Sequence, residues 1–220
     1  MLRSEPSPGQ SFGNVRGCDA RYRRLPMPFA DEMQVVELST WRPEWHSEFE
    51  ALAQELRAAL GDVAVAIYHV GSTAVPGLPA KDVIDAQVLV MDVDDIRIAH
   101  GFAGRGFRRR PEPWNQVDVI GHDEFPKAVY APPRGARAVN VHVRLQDGEG
   151  ARYALLFRDF LRADADARDA WAALKSCIAS HVGDLVPYGQ IKGAALPLLM
   201  RAAEHWAVET GWAPRHASTS

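Results

Sequence analysis

The chain has 220 residues, of which 47% are hydrophobic and 24% are charged, and this balance predicts a folded protein with a large core. Its formal net charge of -3 gives no overall attraction to nucleic acid or to an anionic membrane, so neither is expected as a partner. Two cysteines argue against a disulfide framework, and without a long apolar run or an apolar leader we expect neither membrane spanning nor secretion, so the expected location is cytoplasmic.

The beginning of the chain differs in composition from the rest. It is rich in Pro, Gly, Ser and Arg and has few periodic apolar positions, which predicts a disordered extension over residues 1–33. One folded domain is expected over residues 34–212, followed by a flexible tail over residues 213–220. A short strand is predicted at the start of the domain, over residues 35–38.

The first half of the domain alternates between helical and strand patterns. Apolar residues at helical spacing predict a helix between Pro43 and Gly61. Two apolar, β-branched runs predict buried strands over residues 63–68 and 83–90. A second helix is expected over residues 92–100, ended by Gly101.

The second half adds further strands and then becomes helical. Strands are predicted over residues 116–120, 125–131 and 139–145, and the last two form the clearest hairpin candidate. From Ala154 onward the pattern is helical, with Pro197 expected to bend or divide the last helix. These elements indicate an α+β fold: a mixed β-sheet with flanking helices and a C-terminal helical segment.

The most informative motif lies between the two buried strands. Gly71, Ser72 and Thr73 follow the first strand, and their small side chains allow a ligand to approach the backbone closely. The spacing from Gly71 to Lys81 does not fit the phosphate-binding loop pattern GxxxxGK[ST]. Asp85 is a charge in an otherwise apolar strand, and such a carboxylate needs a partner or a metal ion. The motif therefore predicts a ligand site between these strands.

The segment from His69 to Asp85 resembles the GrpB family, a branch of the nucleotidyltransferase superfamily. The superfamily signature is a strand, a Gly-Ser turn and a second strand that carries Asp-x-Asp or Asp-x-Glu. The resemblance covers residues 34–208 in the family's order and implies a nucleotidyltransferase-like fold. Other matching segments are Trp41-Arg42-Pro43-Glu44-Trp45, Phe49, Val141-His142-Val143, Phe157-Arg158-Asp159-Phe160-Leu161-Arg162, Leu174-Lys175, Tyr188 and Lys192.

The resemblance implies roles for the turn and for the strand carboxylate. Gly71, Ser72 and Thr73 would hold nucleotide phosphates, and Asp85 would be the catalytic residue. Strand side chains at i and i+2 share a face, so a carboxylate pair can hold Mg²⁺ between them. Here the pair is Asp85 and Gln87, and these are the expected Mg²⁺ ligands. Glutamine brings no negative charge, so we expect weaker Mg²⁺ binding than at a carboxylate pair.

Five basic residues are candidates for binding phosphate. Lys81 follows the turn, and Arg158 or Arg162 would form a cationic rim with Lys175 and Lys192 from the next two predicted helices. The alternative for the two arginines, which are neighbours at i and i+4, is a solvated helix face partly neutralised by the intervening aspartate.

Two histidines and a tyrosine complete the candidate site. His69 precedes the turn and His142 lies on the polar face of its predicted strand, so both would converge on Asp85 and would suit a transition-metal hydrolase. The alternative for His69 is a hydrogen-bonded histidine that orders the turn. Tyr188 is included because it matches the family. The basic run over residues 108–110 is predicted to be solvated.

Two further hypotheses about function follow from the resemblance. In the first, the chain binds a nucleotide or a nucleotide-like small molecule and, with Mg²⁺, transfers a nucleoside monophosphate to an acceptor. In the second, it is a non-catalytic folding-accessory or interaction module with a protein partner. GrpB-like domains occur fused to dephospho-CoA kinase, where a folding-assistance role is attributed to them, and the incomplete carboxylate pair favours this second hypothesis.

Overall fold

The computed structural model describes residues 29, 31–32 and 35–214. The strands are β1 (Ala66–Val70), β2 (Ile84–Val90), β3 (Arg108–Arg109), β4 (Val117–Ile120), β5 (Asp123–Ala131) and β6 (Val139–Leu145). The α-helices are α1 (Glu44–Leu60), α2 (Ile96–Ala103), α3 (Glu149–Ala163), α4 (Ala165–His181) and α5 (Leu185–Thr210). Short 3₁₀ helices span Gly61–Val63, Ser72–Ala74 and Pro113–Asn115.

The strands form one mixed sheet in the order β1-β2-β6-β5-β3, and β4 pairs with β5 beside this row. The pair β2 and β6 is parallel, whereas the other pairs are antiparallel. The predicted α+β class and the predicted β5–β6 hairpin are confirmed. None of the helices in the described part of the chain is long and apolar enough to cross a membrane.

One face of the sheet is covered by α1 and α2. Trp45, Phe49 and Leu56 of α1 are buried because their helical spacing places them on one side of the helix. They belong to the same core cluster as Val88 of β2 and Val141 of β6. This cluster is the main core of the molecule, and it holds the strands below the site in place.

The opposite face of the sheet is covered by the C-terminal helices. Tyr68 and Leu89 of the sheet pack with Ala151 and Leu155 of α3. Helices α3, α4 and α5 also share a core of their own with the segment after the Gly-Ser turn. Its buried members are Val75, Leu78, Leu156, Phe160, Leu161, Trp171, Met200, Ala203 and Ala207.

The polar side chains of interest lie on the face that the C-terminal helices cover. In the β2–β6 register, Asp85 pairs with Asn140 and Gln87 pairs with His142. Paired residues of neighbouring strands share a face of the sheet, so these four side chains project to the same side. His69 pairs with Ala86 and therefore belongs to the α1 face.

Two predicted boundaries differ from the observed ones. The strand predicted from Val63 begins at Ala66, because residues 61–63 form a 3₁₀ helix. Helix α2 passes Gly101 and ends at Ala103. A Cβ atom at Gly101 would overlap the carbonyl oxygen of Ala59 at the end of α1, so this glycine permits close packing of two helices and does not end one.

Two further predictions about helices and strands were wrong, and a third was wrong in part. Residues 35–38 form no strand, and the segment makes only isolated bridges at Val35 and Ser39. Helix α3 begins at Glu149, five residues before the predicted start. Helix α5 continues across Pro197 and is not divided there, because the loss of one backbone N–H removes a single hydrogen bond, and the predicted bend stays a prediction.

The predicted disordered extension lies mostly outside the described residues, as does most of the predicted tail. Of residues 1–33, the structure describes Phe29, Asp31 and Glu32. The carboxylate of Asp31 accepts two hydrogen bonds from Arg108, at 2.8 and 3.0 Å, and that of Glu32 accepts two from Arg110, both at 2.7 Å. These two arginines are therefore ion-paired, and the prediction that they are solvated was wrong.

Candidate functional site

The glycine–serine turn, residues 71–73, brings backbone close to a carboxylate. Gly71 has a φ of 71°, which L side chains rarely adopt. A Cβ atom at this position would also overlap Oδ2 of Asp85. Glycine therefore allows the turn after β1 to contact the Asp85 side chain on the neighbouring strand.

Asp85 is held by two side chains of β6. Its Oδ1 accepts a hydrogen bond from Nδ2 of Asn140 at 3.0 Å and lies 3.7 Å from Nε2 of His142. Burial by itself would raise the pKa of Asp85, but interactions with His142 and Asn140 and the charge of Lys81 outweigh it and lower the pKa to about 2. Asp85 is therefore ionised at neutral pH.

His142 lies where three cavities of the described structure meet. Burial lowers its pKa, although the nearby Asp85 carboxylate acts in the opposite direction. Its Nδ1 is buried and has no hydrogen-bond partner among the described residues. The imidazole is therefore neutral at pH 7, and one of its ring nitrogens makes no hydrogen bond within the described part of the chain.

Lysine is rare in this chain and is concentrated around Asp85. The 25 basic residues include only four lysines, and Lys81, Lys175 and Lys192 line one cavity of about 250 Å³, which we call the lysine cavity. Its lining also includes Ser72, Thr73, Ala80, Val83, Asp85, Asn140, His142 and Tyr188. Asp85 is the single carboxylate in this lining, so the three ammonium groups exceed the negative charge around them.

The lysine closest to the turn is almost fully enclosed. The side chain of Lys175 comes from α4, is 2% exposed, and donates to Oγ of Ser72 at 3.0 Å and to the carbonyl oxygen of Pro79. Burial is the main cause, and repulsion from Lys192 and Lys81 adds to it, so that the pKa of Lys175 is lowered to about 7.

The other two lysines also have lowered pKa values. Burial lowers the pKa of Lys81 to about 8, with repulsion from Lys192 as the next cause. Burial also lowers the pKa of Lys192, and the attraction of Asp85 only partly opposes this. A bound anion would favour the charged form of all three amines, because it would supply the missing negative charge.

Tyr188 closes one side of the lysine cavity. Its side chain is 1% exposed, and burial raises its pKa to about 12, so the hydroxyl remains protonated at neutral pH. The ammonium of Lys192 lies 5.9 Å from the centre of the Tyr188 ring, within the range of a cation–π contact. The structure thus brings Tyr188 together with the predicted lysines.

A second cavity, of about 330 Å³, adjoins the lysine cavity. Both cavities are lined by Ser72, Asp85, His142 and Lys192. The remainder of the second cavity has three aromatic side chains, Tyr153, Phe157 and Trp171, so we call it the aromatic cavity. The site therefore has a cationic part and an apolar part that meet at Asp85.

Gln87 is outside both cavities, which corrects its predicted role as a metal ligand. It lies on the same face as Asp85, as the strand spacing predicts, but it is fully buried. Its Nε2 donates to the carbonyl oxygen of Ala151 at 3.2 Å, and its Oε1 accepts from Arg144 at 2.9 Å. Both ends of the amide are thus bonded within the protein.

Arg158 and Arg162 bind backbone carbonyl oxygens on either side of the turn, which corrects the prediction that one of them forms part of a phosphate-binding rim. Arg158 donates to the carbonyl oxygen of His69 at 3.1 Å, and Arg162 donates twice to the carbonyl oxygen of Ala74, at 2.9 and 2.7 Å. Asp159 pairs with Arg158 at 2.6 Å. Neither arginine is among the residues that line the two cavities.

His69 is on the far side of the turn and does not join His142 at Asp85. Its Nε2 lies 3.0 Å from Oγ1 of Thr73, and its ring stacks on Phe49 with ring centres 4.7 Å apart. Burial lowers the pKa of His69 to about 4, so the ring is neutral. This geometry is that of a histidine that orders the turn, and the three-ligand set proposed for a transition metal is not assembled.

A buried ionic group at the edge of the aromatic cavity was not predicted from the sequence. Asp118 of β4 accepts from Arg144 at 2.6 Å and from Lys127 at 2.6 Å. Burial would raise the pKa of Asp118, but these two cations outweigh it and lower the pKa. Lys127 is a charged residue among apolar residues of β5, which indicates that it needs a partner. No pattern in the sequence, however, indicates that Asp118 of β4 would be that partner.

A second missed feature is a chain of polar contacts that leads away from Asp85. Nη2 of Arg110 donates to Oδ1 of Asn140 at 3.1 Å, and Asn140 in turn donates to Asp85. Glu32 is bonded to the same guanidinium. Residues far apart in the sequence therefore orient the Asn140 amide, and with it the central carboxylate.

The residues around Asp85 would suit Mg²⁺ only together with a phosphorylated ligand. Among the described residues there is no group of three or more His, Cys, Asp or Glu side chains that could hold a metal ion. Mg²⁺ is commonly bound by one or two protein carboxylates together with substrate phosphates and water. Asp85 fits that role beside a phosphorylated ligand, whereas Gln87 does not.

The fold and the site together define an α+β protein with a strand–turn–strand motif between a mixed sheet and its C-terminal helices. Within that class, the chain belongs to the GrpB family, whose model, described as GrpB protein, matches residues 35–201. The predicted family is confirmed.

Two curated relatives illustrate the range of proteins that are similar to this chain. UPF0157 protein BH1888 of Halalkalibacterium halodurans is 32% identical over 170 residues, which cover 76% of this chain and 82% of the relative. A protein named dephospho-CoA kinase from Mycolicibacterium paratuberculosis is 33% identical over 213 residues, which cover 86% of this chain and 52% of the relative. The chain thus spans about half the length of the kinase relatives.

A solved structure supports the fold. The conserved protein GrpB from Enterococcus faecalis aligns with a TM-score of 0.65 and 24% sequence identity, over 77% of this chain and 99% of that chain. The mixed sheet and its flanking helices are therefore the fold of this family.

Proposed function

We propose that the lysine cavity binds the phosphate groups of a nucleotide or a nucleotide-like small molecule. The observation that carries this proposal is the convergence of Lys81, Lys175 and Lys192 on Ser72 and Asp85. Three of the four lysines in the sequence are in this one place; burial lowers the pKa of each, and repulsion from neighbouring lysines further lowers those of Lys81 and Lys175. Such a cluster is unfavourable unless an anion occupies it.

The turn would supply the remaining contacts to phosphate. The hydroxyl of Ser72 already accepts from Lys175, and backbone N–H groups at a glycine turn are suitable donors to anionic oxygens. Asp85 would hold Mg²⁺ that accompanies the phosphates, and the metal ion would neutralise phosphate charge when bound. Lys192 lines both cavities and would contact the ligand where they meet.

Once the ligand is bound, two functions are possible, transfer of a nucleoside monophosphate or binding without turnover, and a different observation supports each. The family resemblance supports transfer of a nucleoside monophosphate, with Asp85 as the catalytic residue. The buried, internally bonded amide of Gln87, in the place of a second carboxylate, favours a module that binds its ligand without turnover. The name of the longer relatives adds dephospho-CoA, which contains a nucleotide, to the ligands to be tested.

The test is a thermal-shift panel of the four ribonucleoside triphosphates and dephospho-CoA, with and without Mg²⁺. At ligand concentrations about 100 times Kd, we expect Tm of the wild type to rise by about 5–10 °C. The rise should disappear in Lys192→Gln, and its Mg²⁺-dependent part should disappear in Asp85→Asn. Arg201→Gln removes a charge from an exposed position of the same helix and should behave as wild type.

No rise with any of these ligands would refute the binding proposal. A rise that persists in Lys192→Gln would place the ligand elsewhere. Catalysis is tested separately by the release of pyrophosphate from whichever triphosphate binds. Release that is lost in Asp85→Asn supports nucleotidyl transfer, whereas binding without release supports the non-catalytic module.

A further inference from the structure

The aromatic cavity is lined by residues of α3, α4 and α5 and of strands β1, β2, β4 and β6, and phosphate binding at the lysines does not account for it. Beyond the shared residues, its walls are formed by Val119 and Ile120 of β4, Tyr153 and Phe157 of α3, Trp171 of α4 and Leu196 of α5. Val119 is 64% exposed, so this apolar side chain is accessible to a ligand that enters the cavity. A ligand whose phosphates bind the lysines would direct its remaining part toward these walls, since the cavities meet at Ser72 and Lys192.

Trp171 lines this cavity and has an unused hydrogen-bond donor. Its side chain is 5% exposed, and its Nε1 is buried without a hydrogen-bond partner among the described residues. A buried N–H that lacks a partner is costly, and tryptophan can only donate. The ring is fixed by an edge-on contact with Phe157, with ring centres 6.1 Å apart and planes inclined by 76°. The indole is therefore a rigid donor that needs an acceptor.

The neighbouring aromatic residue also keeps its proton. Burial raises the pKa of Tyr153 to about 12, so its hydroxyl can donate at neutral pH. Flat apolar side chains together with donor groups suit a planar ring that has acceptors at its edge. Nucleobases have this character, because each has ring-nitrogen or carbonyl acceptors around an aromatic face.

We propose that the aromatic cavity holds the base of the nucleotide, with Trp171 Nε1 donating to an acceptor on the base edge and Phe157 contacting its face. This inference rests on the proposed function, because it assumes that the phosphates bind the lysine cavity. Trp171 would then contribute to the selectivity for the nucleotide over phosphate alone. The base and the phosphates would then extend in different directions from Asp85.

The experiment separates base from phosphate by comparing two probes in calorimetry with Mg²⁺. One probe is the ribonucleoside triphosphate that gives the largest thermal shift, and the other is inorganic tripolyphosphate, which has no base. Wild type should bind the nucleotide at least about tenfold more tightly. Trp171→Phe should weaken nucleotide binding about tenfold, the loss expected for one hydrogen bond to a buried donor, and should leave tripolyphosphate binding unchanged.

The matched control is Trp206→Phe. Trp206 packs against Phe160 and Trp212 in the same helical layer but does not line the aromatic cavity, so its replacement should leave both affinities unchanged. If Trp171→Phe does not fold, Phe157→Leu is the second variant, and it should also weaken the nucleotide selectively. Nucleotide binding should quench tryptophan fluorescence in wild type, and less so in Trp171→Phe.

The two proposals fail in different ways. Equal affinities for the nucleotide and tripolyphosphate, both insensitive to the aromatic variants, would overturn the base-site inference while leaving phosphate binding intact. Weaker binding of both probes in Lys192→Gln, but of the nucleotide alone in Trp171→Phe, is the result expected if both proposals are correct. Absence of binding by either probe would remove the proposed function, and the inference with it.

Discussion

At the scale of single residues, the site depends on one glycine that has two structural requirements. Gly71 has a positive φ, and the space where its Cβ would lie is taken by the Asp85 carboxylate. Asp85 is in turn positioned by Asn140 and is ionised at neutral pH. A single added methyl group would therefore move the carboxylate that the lysines face.

Gly71→Ala is predicted to reduce both stability and ligand binding. The strained φ should lower the free energy of unfolding by about 1–3 kcal/mol, and displacement of Asp85 should weaken Mg²⁺-dependent nucleotide binding. Gly61→Ala is the control, because Gly61 also has a positive φ, of 56°, but nothing lies within 4 Å of its Cβ position.

Urea denaturation and calorimetry measure the two effects of these variants. We expect both variants to lose stability and only Gly71→Ala to lose binding. Unchanged binding in Gly71→Ala would show that the position of Asp85 is not coupled to the turn.

At the scale of elements, α3 differs from α4 and α5 in how its basic residues are used. Arg158 and Arg162 of α3 donate to backbone carbonyl oxygens on either side of the turn. Lys175 of α4 and Lys192 of α5 instead line the lysine cavity. The planar guanidinium group suits paired bonds to fixed acceptors, whereas a lysine ammonium acts as a compact charge.

Salt dependence should distinguish these two uses. Removing a charge that contacts the ligand reduces the dependence of affinity on ionic strength, because less of the binding energy is then screened. We predict a shallower decrease of affinity with NaCl concentration in Lys192→Gln. In Arg162→Gln the salt dependence should match wild type, while the free energy of unfolding decreases by about 1–3 kcal/mol because the Ala74 carbonyl loses its donor.

Calorimetric titrations between about 0.05 and 0.5 M NaCl measure this difference over a range in which the Debye length shortens severalfold. A shallower salt dependence in Arg162→Gln would show that Arg162 contacts the ligand. It would contradict the structural role of Arg162 as a donor to the Ala74 carbonyl oxygen.

At the scale of the whole molecule, the packing of the C-terminal helices on the sheet assembles the site. Lys81 lies between β1 and β2, whereas Lys175 and Lys192 lie on two helices about a hundred residues further along the chain. Folding places three amines together and removes them from water, so their pKa values fall. Part of the cost of this arrangement would be relieved when an anion binds.

Nucleotide binding is therefore predicted to take up protons near pH 8. Lys175, with a pKa of about 7, and Lys81, with a pKa of about 8, are largely or partly neutral at that pH. A bound phosphate favours the ammonium forms and raises both pKa values, so protons are taken up and affinity decreases as the pH rises from about 7 to 9. Calorimetry in buffers of different ionisation enthalpy measures this uptake.

The uptake should be smaller in Lys81→Met and unchanged in Arg201→Gln. A binding enthalpy that does not depend on the buffer would contradict the prediction, because it would mean that the lysines keep the same charge in the free and bound states.

The candidate site was only partly predictable from the sequence. Strand spacing correctly placed Gln87 on the same face as Asp85, but it could not show that Arg144 and Ala151 would bond both ends of the amide. Helical spacing correctly paired Arg158 with Arg162, yet their partners are carbonyl oxygens about ninety residues earlier in the chain. The catalytic role of Asp85 and the ligand-binding roles of the turn and the three lysines stay predictions.

The sequence by itself determined the family, the strand–turn–strand motif and the positions of most helices and strands. These follow from local patterns, because the spacing of apolar residues and the glycine turn act over a few neighbouring positions. Only the tertiary structure decided which polar groups line the cavities, because that depends on contacts between distant segments. It brought Lys81, Lys175 and Lys192 together, paired Asp118 with Arg144, and left the indole N–H of Trp171 without a partner in the described structure.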